Sequence, residues 1–142
     1  LSSSSAASDV YKRQKKLRVG LGCRRGVCAS AITSAIRHVF AENRLDLRAI
    51  SGVFSIDLKK DEPGLLMACR ENGWSVSFYP AQTLQAVPGE FTASSFVASV
   101  TGVDNVCERA AMVGAEQLLV SKTAMDGVTV AVALMHWEVH FG

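Results

Sequence analysis

The chain has 142 residues, of which 49% are hydrophobic and 20% are charged, and its formal net charge is +2. These values indicate one globular domain with a sizeable core, and no apolar run is long enough to span a membrane. Residues 1–16 carry four basic residues against one acidic residue, so the rest of the chain has a net charge of about −1 and gives little support for nucleic-acid binding.

Residues 1–16 are rich in serine and lysine and have no apolar periodicity, which predicts a disordered tail outside the domain. The tail also lacks the apolar segment of a secretory signal. It resembles adaptor-derived sequence at the ends of some environmental translations; if it has that origin, the tail is not native and the true start of the protein is missing, and otherwise the tail is native. We therefore expect one domain over residues 17–142.

The stretch from Leu17 to Ser30 predicts a short buried strand, a glycine-rich loop and the start of a helix. Two arginines lie in this loop between Gly22 and Gly26. Glycines let backbone N–H groups approach a ligand, a helix N-terminus adds partial positive charge, and guanidinium groups suit carboxylate or phosphate. The loop is therefore a candidate anion site, although a tight turn with two solvated arginines explains the pattern equally well.

Alternating and helical patterns continue along the first half of the chain. Ser30 is the expected cap of the first helix, and His38 is expected to pack beside its apolar face. The predicted elements, in order, are a helix over Ala29–Asn43, a strand over Ala49–Ile56, a helix from Pro63 to Asn72 that Gly73 ends, a strand over Trp74–Tyr79 and a helical turn over Pro80–Leu84.

The second half of the chain predicts more strand than helix. Its predicted elements are a helix over Ser94–Val100, a helix from an Asp104 cap to Val113, a strand over Gln117–Val120, a polar connection over Ser121–Asp126 and strands over Gly127–Met135 and Trp137–Phe141. We expect the last two strands to form a hairpin. The fold class is therefore α/β, a three-layer α/β/α domain with a mixed, mainly parallel sheet of about five strands.

Ligands of such sheets bind beyond the carboxyl ends of the strands, and three polar segments are expected there. Each has a cation shortly after a predicted strand, so together they form a cationic rim that suits a ligand with many carboxylates. The alternative is that these charges are ordinary solvated loop residues. The segments carry Cys23, Arg24 and Arg25; Asp57, Lys59, Lys60, Asp61 and Glu62; and Ser121, Lys122 and Thr123.

The catalytic candidates in these segments are two carboxylates and one thiol. Asp57 or Glu62 could act as a general base on water, although Asp57 could equally cap a helix or pair with a lysine. Cys23 is a candidate nucleophile, because a helix N-terminus and two arginines favour its thiolate, or it is a small residue that fills a turn.

The remaining cysteines and histidines carry no predicted metal or disulfide site. The four cysteines are scattered without a CxxC pair, which indicates a reducing cytoplasm, and Cys69 and Cys107 are expected in the core. His136 and His140 are expected to have structural or surface roles rather than to bind a metal.

Four motifs in order carry a resemblance to a known family. They are VGLGCRRGVCASAI over residues 19–32, Ser55–Leu65, Thr101–Ala111, and Lys122 together with Gly127–Ala133. Across residues 17–141 the chain resembles the CobE/CbiG C-terminal family of cobalamin (vitamin B12) biosynthesis. The resemblance implies a three-layer α/β/α domain with a mixed sheet.

The resemblance also implies a function. CbiG-type proteins are cobalt-precorrin-5A hydrolases that open a δ-lactone on the macrocycle and release acetaldehyde, and CobE is a stand-alone relative with a corrinoid-handling role. The implied partners are a carboxylate-rich corrinoid intermediate and a missing N-terminal CbiG domain, with no nucleic acid and no membrane, and the implied location is cytoplasmic. No cofactor is implied beyond the cobalt of the substrate.

The site residues follow from the matching motif positions. The resemblance carries over no catalytic residue and implies Asp57 and Glu62 only as site positions, so they stay the catalytic candidates of the residue reasoning above. The implied substrate-binding residues are Gly22, Cys23, Arg24, Arg25, Gly26, Lys59, Glu108 and Lys122. Three functions stay open at this point: a hydrolase or one of its domains, a non-catalytic corrinoid-binding or delivery protein, and a nucleotide-binding domain that uses the glycine loop.

Overall fold

Five strands form one mixed sheet in the computed structural model, which describes residues 16–88 and 105–135. Their order across the sheet is β3-β2-β1-β5-β4, with β1, β2 and β3 parallel, β5 antiparallel to β1, and β4 antiparallel to β5. The strands are β1 (Leu17–Cys23), β2 (Ile50–Ile56), β3 (Val76–Tyr79), β4 (Ala115–Met125) and β5 (Val128–Met135).

Helices cover both faces of this sheet. The α-helices are α1 (Ala29–Glu42), α2 (Pro63–Asn72), α3 (Ala81–Gln85) and α4 (Val106–Met112), and short 3₁₀ turns span Leu47–Ala49 and Asp57–Lys59. Within the described ranges, none of the helices has the length and apolar character needed to cross a membrane. The predicted helix over Ser94–Val100 lies outside the described residues.

The alternation of β1 separates the two faces. Val19 and Leu21 are fully buried and belong to one hydrophobic cluster with Ile36 and Phe40 of α1. Gly20 points to the other face, where α4 packs so closely that a Cβ atom on Gly20 would lie 1.8 Å from a backbone oxygen of the helix. The predicted α/β class, with helices on both faces of a mixed sheet, is confirmed.

Arg18 is a buried cation on the α4 face of β1, with an exposed fraction of 8%. Its Nε donates to the carbonyl of Ala111 (2.9 Å), and its Nη2 donates to the hydroxyl of Tyr79 (2.7 Å) and the carbonyl of Ala110 (3.2 Å). The guanidinium carbon lies 3.7 Å from the ring centroid of Phe54. Because the C-terminal carbonyls of a helix carry partial negative charge, Arg18 stabilises the end of α4 on the sheet.

The second half of the sheet differs from the prediction. Strand β4 continues to Met125, so the predicted polar connection over Ser121–Asp126 is mostly strand. The tight turn that joins β4 to β5 is Asp126–Gly127, and both residues have positive φ, 51° and 81°. An Asp-Gly pair between two strands is a strong hairpin signal, because a type I′ turn needs positive φ at both positions. The predicted strand over Trp137–Phe141 lies outside the described residues.

Some of the predicted helix ends are confirmed and others are wrong. Pro63 is the first residue of α2, and Gly73 ends that helix with a φ of 72°, as predicted. The N-cap residue of α1 is Cys28 rather than Ser30. The cap of α4 is Asn105 rather than Asp104, and its side chain accepts the N–H of Glu108.

His38 does not pack beside the apolar face of α1. Its side chain is exposed, and its Nε2 lies 3.2 Å from the carboxylate of Glu42, one helical turn further along the helix. The reason is geometric, because Ile36, Val39 and Phe40 already occupy the face that meets the sheet.

Candidate functional site

The loop after β1 and the segment after β2 meet at the carboxyl edge of the sheet. The N–H of Gly26 donates to Oε2 of Glu62 over 3.3 Å. The turn between β4 and β5 reaches the same edge, because the N–H of Arg24 donates to the carbonyl of Gly127 over 2.9 Å. Two of the three segments predicted to converge are therefore in contact, and the β4–β5 turn joins them.

The start of helix α2 packs against the end of the glycine loop. A Cβ atom on Gly64 would lie 2.0 Å from the carbonyl oxygen of Val27, so a side chain at this position would push the loop away from the helix. Close packing of the helix on the loop therefore requires a glycine at position 64. It lets the start of α2 approach the backbone that carries the two arginines.

Glu62 is the buried carboxylate of this edge, with an exposed fraction of 9%. It is the residue before the first residue of α2, yet its side chain does not cap that helix. Instead, Oε2 accepts the Gly26 N–H. Asp57, the other predicted general base, lies exposed in the 3₁₀ turn Asp57–Lys59. The two candidate bases therefore differ in burial, since Glu62 is enclosed by protein and Asp57 faces solvent.

Burial and the charges of Lys59 and Glu62 act on the pKa of the Cys23 thiol. Burial raises the pKa of its thiol, the positive charge of Lys59 lowers that pKa, and the negative charge of Glu62 raises it. Burial has the largest effect, so the pKa lies above its usual value. The expectation that the helix N-terminus and the arginines favour a Cys23 thiolate is wrong, because the thiol is half-buried and next to a carboxylate.

Cys28 is the thiol whose environment favours the thiolate. It is exposed at the N-cap position of α1, and its Sγ lies 3.2 Å from the hydroxyl oxygen of Ser30. That hydrogen bond, together with backbone N–H groups at the helix start, lowers the pKa of the Cys28 thiol. Sequence reasoning missed it, although a cysteine directly before a predicted helix is a recognisable signal.

Three cations line the edge above these groups, and we call them the cationic edge: Arg24, Arg25 and Lys59. The two arginines are exposed and Lys59 is half-buried. The Cδ atom of Arg24 would be 3.4 Å from a Cβ on Gly127, so its side chain runs along the β4–β5 turn. Exposed guanidinium groups on a glycine loop can bind carboxylates bidentately.

Lys122 and Glu108 lie apart from the cationic edge, on the α4 face. Lys122 is part of β4 rather than of a loop, and its backbone N–H donates to Oε2 of Glu108 over 2.5 Å. Glu108 is 1% exposed, and its Oε1 accepts from Nδ2 of Asn105 over 2.7 Å. We call Asn105, Cys107, Glu108 and Lys122 the Glu108 cluster. Asn105 was absent from the predicted site.

Gly22 connects the Glu108 cluster with the glycine loop. Its carbonyl accepts the hydroxyl of Thr129 over 3.3 Å, and Thr129 also contacts the thiol of Cys107. Burial raises the pKa of Cys107 to about 12, so this thiol stays protonated and donates to Oδ1 of Asn105 over 3.3 Å. The prediction that Cys69 and Cys107 are core residues is confirmed, since both are 1% exposed.

An open cleft of about 310 Å³ lies away from both groups. It is lined by Arg37, Leu47, Arg48, Ile50, Asn72, Gly73 and Trp74. Ile50 begins β2 and Trp74 precedes β3, so the cleft is at the amino ends of these strands. Across the described ranges, no three His, Cys, Asp or Glu side chains are grouped to hold a metal ion. His136 and His140 lie outside those ranges.

Comparison with known proteins identifies the family. The sequence profile of the family described as "Cobalamin synthesis G C-terminus" matches residues 17–133. The chain belongs to this family. The matched residues include both the cationic edge and the Glu108 cluster, and the resemblance drawn from the four motifs is confirmed.

Two relatives are similar to this chain over most of its length. The cobalt-precorrin-5A hydrolase of Priestia megaterium is 35% identical in an alignment of 133 residues that covers 92% of this chain and 35% of the relative. Protein CobE of Sinorhizobium sp is 31% identical in an alignment of 134 residues that covers 89% of this chain and 85% of the relative. The chain thus spans about a third of the hydrolase and most of CobE.

A solved structure agrees with the fold. The crystal structure of CobE, described as a protein from the cobalamin (vitamin B12) biosynthetic pathway, has a TM-score of 0.79 and 29% sequence identity. The match covers 87% of this chain and 93% of that chain. The family membership therefore extends to the arrangement of the sheet and its helices.

Proposed function

We propose that this chain acts in cobalamin biosynthesis as a cobalt-precorrin-5A hydrolase or as the C-terminal domain of one. The observation that carries the proposal is the Glu62 carboxylate, buried beneath the cationic edge with one oxygen held by the Gly26 N–H. The similarity to the Priestia megaterium hydrolase over 92% of this chain supports the same function. The substrate is a carboxylate-rich corrinoid intermediate.

Hydrolysis of the lactone requires a general base close to the site where the substrate carboxylates bind. In lactone hydrolysis, a water oxygen attacks the carbonyl carbon while a general base accepts the water proton, and the ring C–O bond breaks to leave an alkoxide that takes up a proton. Removal of the resulting hydroxyl proton then breaks a C–C bond and releases acetaldehyde, and the macrocycle carbon keeps the electron pair and is protonated. Glu62 is the proposed base, and the cationic edge binds the substrate carboxylates.

The decisive assay measures acetaldehyde released from cobalt-precorrin-5A by the full chain. Glu62→Gln and Asp57→Asn are a matched pair of carboxylate-to-amide changes, one buried and one exposed. We expect Glu62→Gln to lower the rate by about a hundredfold or more, the usual loss for a general base, and Asp57→Asn to stay within about threefold. Equal losses in both variants would contradict the assignment of Glu62.

Binding is tested separately with uroporphyrin, an available tetrapyrrole that carries a carboxylate on every side chain. Single alanine substitutions of Arg24, Arg25 and Lys59 should each weaken binding by about twofold to fivefold, and the affinity should fall with salt. Arg37→Ala is the control, because Arg37 lines the cleft at the opposite end of the strands. An affinity for uroporphyrin that is unchanged by salt and by all three substitutions would contradict binding at the cationic edge.

A second candidate function is a non-catalytic corrinoid-binding or delivery protein of the CobE type. The observation that favours it is length, since the chain covers 85% of Sinorhizobium CobE and 93% of the CobE crystal chain, but 35% of the hydrolase. It predicts uroporphyrin and corrinoid binding without acetaldehyde release. Acetaldehyde release that begins when the rest of the hydrolase is added would instead identify the chain as a hydrolase domain.

We also propose that the protein works in the cytoplasm and needs no cofactor beyond the cobalt of its substrate. All four cysteines of the chain are free thiols, as a reducing compartment favours. Acetaldehyde release that is unchanged after treatment with a chelator would support the cofactor proposal, and loss of release that added metal restores would contradict it.

A further inference from the structure

The open cleft at the amino ends of β2 and β3 is a group of side chains that the proposed function leaves unused, and we call it the Trp74 cleft. Its lining comes from α1, the 3₁₀ turn Leu47–Ala49, the start of β2 and the segment that joins α2 to β3. Because these parts of the chain meet only in the folded domain, the cleft is a feature of the tertiary structure.

Asn72 holds the polar part of the lining in place. Its Nδ2 donates to the Ala68 carbonyl over 2.8 Å and to the Thr33 hydroxyl over 3.1 Å, which ties the end of α2 to α1. Its Oδ1 accepts Nη2 of Arg37 over 3.5 Å, a long contact and the one that this guanidinium makes within the described ranges. Since Arg37 is exposed, its other N–H groups can bind a carboxylate.

Arg48 also lines the cleft, but it already has a carboxylate partner. Its Nε and Nη2 lie 3.3 Å and 3.2 Å from the two carboxylate oxygens of Asp46, and its backbone N–H donates to the same side chain over 2.8 Å. This bidentate pair fixes the plane of the guanidinium and offsets its charge. Arg37 is therefore the cation that gives the lining its affinity for one further carboxylate.

Trp74 and Leu47 provide an apolar surface beside Arg37. Both are half-buried, because they pack on the main hydrophobic cluster and still reach the cleft. Tryptophan and arginine are the residue types that most often dominate the binding energy of protein interfaces, and aromatic residues and arginine are enriched there. A half-buried indole in one cleft with an exposed guanidinium is therefore typical of an interface.

The shape and the donors of the cleft favour a protein segment over a small ligand or a phosphate. Small-molecule sites enclose most of their ligand, whereas this cleft of about 310 Å³ is open. Phosphates commonly bind to unpaired backbone N–H groups, but those of Gly73 and Trp74 already donate to the carbonyls of Arg70 and Cys69 at the end of α2, over 3.3 Å and 2.9 Å. The cleft therefore suits an apolar side chain with a carboxylate next to it.

We propose that the Trp74 cleft is a docking site for an acidic segment of a protein partner, in which an apolar side chain packs on Trp74 and a neighbouring carboxylate pairs with Arg37. The seven residues of β2 separate the cleft from the cationic edge by about 20 Å at about 3.3 Å per residue, so a partner can bind while that edge holds a ligand. The region matched by this chain is 35% of the Priestia megaterium hydrolase, so that relative carries further polypeptide that such a site can hold.

The test titrates the full chain with three capped tripeptides and follows nuclear magnetic resonance signals. The probes are acetyl-Phe-Glu-Glu-amide, its neutral form acetyl-Phe-Gln-Gln-amide, and acetyl-Ala-Glu-Glu-amide, which lacks the large apolar side chain. We expect the first peptide to shift the indole N–H of Trp74 and the backbone N–H of Arg37 while that of Gly26 in the glycine loop stays unchanged. The other two peptides should bind more weakly by about threefold or more.

Variants separate the two parts of the proposed contact. Trp74→Leu should weaken binding of acetyl-Phe-Glu-Glu-amide by about threefold to tenfold. Arg37→Gln should weaken it by a similar factor and should make the affinities for the acidic and the neutral peptide equal. Arg70→Gln is the matched control, because Arg70 is an exposed arginine of α2 outside the lining, and it should change the affinity by less than about twofold.

Four results would overturn the proposal. They are equal binding of the acidic and the neutral peptide by the wild-type chain, peptide-induced shifts centred on Gly26, no shift of the Trp74 signals at the highest peptide concentration, and an unchanged affinity in Arg37→Gln. If Trp74→Leu does not fold, Arg37→Gln decides alone, since Arg37 is exposed. Adenosine monophosphate, which combines a flat ring with a phosphate, is the competing probe. Tighter binding of that nucleotide than of the acidic peptide at Trp74 would identify a nucleotide site instead and overturn the proposal.

Discussion

Replacing Gly20 by alanine tests the close packing of α4 on the sheet. The new Cβ atom would lie 1.8 Å from the carbonyl oxygen of Cys107, 2.7 Å from the N atom of Ala111 and 2.8 Å from the carbonyl carbon of Cys107. All three neighbours are backbone atoms, so no side-chain rotation relieves the contact. The helix as a whole must move away from β1.

The size of that movement sets the cost. Ordinary contact begins near 3.4 Å, so the helix must retreat by roughly 1.6 Å, and a gap of about 1 Å already loses up to half of the dispersion energy of the atoms that line it. Overpacking in cores costs about 1–3 kcal/mol, and a backbone neighbour places Gly20→Ala at the top of that range. About 3 kcal/mol lowers the melting temperature of a domain of this size by about 10 °C.

Urea unfolding followed by circular dichroism measures this change in the free energy of unfolding. Gly22→Ala is the matched control, because its Cβ would lie 2.6 Å from the side-chain Oγ1 of Thr129, and rotation of that side chain costs its hydrogen bond to the Gly22 carbonyl rather than the movement of a helix. We expect a loss of about 1 kcal/mol or less in the control. A Gly20→Ala protein within about 0.5 kcal/mol of wild type, or less destabilised than the control, would refute the packing argument.

Three further predictions concern the site and its surroundings. Tyr79→Phe removes the hydroxyl that Arg18 contacts and should lower the free energy of unfolding by about 1–3 kcal/mol in a urea titration, whereas no change would mean that the hydrogen bond contributes nothing. Gly64→Ala should displace the glycine loop and weaken uroporphyrin binding, and an unchanged affinity would show that the loop tolerates the shift. Cys28 should be the first thiol alkylated by iodoacetamide at pH 7.5, since its pKa is lowered while burial raises the pKa of Cys69 to about 11, and mass spectrometry of the modified peptides would expose any other order.

The elements of the first half were predictable because local signals and tertiary packing agree there. The apolar alternation of β1, the Pro63 start of α2 and the Gly73 end all depend on neighbouring residues, and all are confirmed. The boundary of β4 was not predictable in this way. Ser121, Lys122 and Thr123 are polar, and they become strand because β5 offers backbone partners across the Asp126–Gly127 turn.

The candidate site was also predictable from the sequence only in part. The arginines of the glycine loop and the carboxylate before Pro63 are visible as motif residues, whereas the burial of Glu62 and its contact with the Gly26 N–H are tertiary facts. The thiols show the difference most clearly. Helix-start chemistry favoured a thiolate at Cys23, yet burial raises the pKa of that thiol, and the hydrogen bonds at the start of α1 act on Cys28 instead.

The sequence by itself determined the family, the α/β class and the group of charged residues that carries the candidate chemistry, because motifs and periodicity act over short distances along the chain. Only the tertiary structure decided which of these charges are buried and which atoms they hold. Glu108 was predicted from its motif to bind substrate, but its carboxylate is enclosed between Asn105 and the Lys122 N–H. That role depends on a helix and a strand meeting across the sheet, and no local pattern encodes the distance between them.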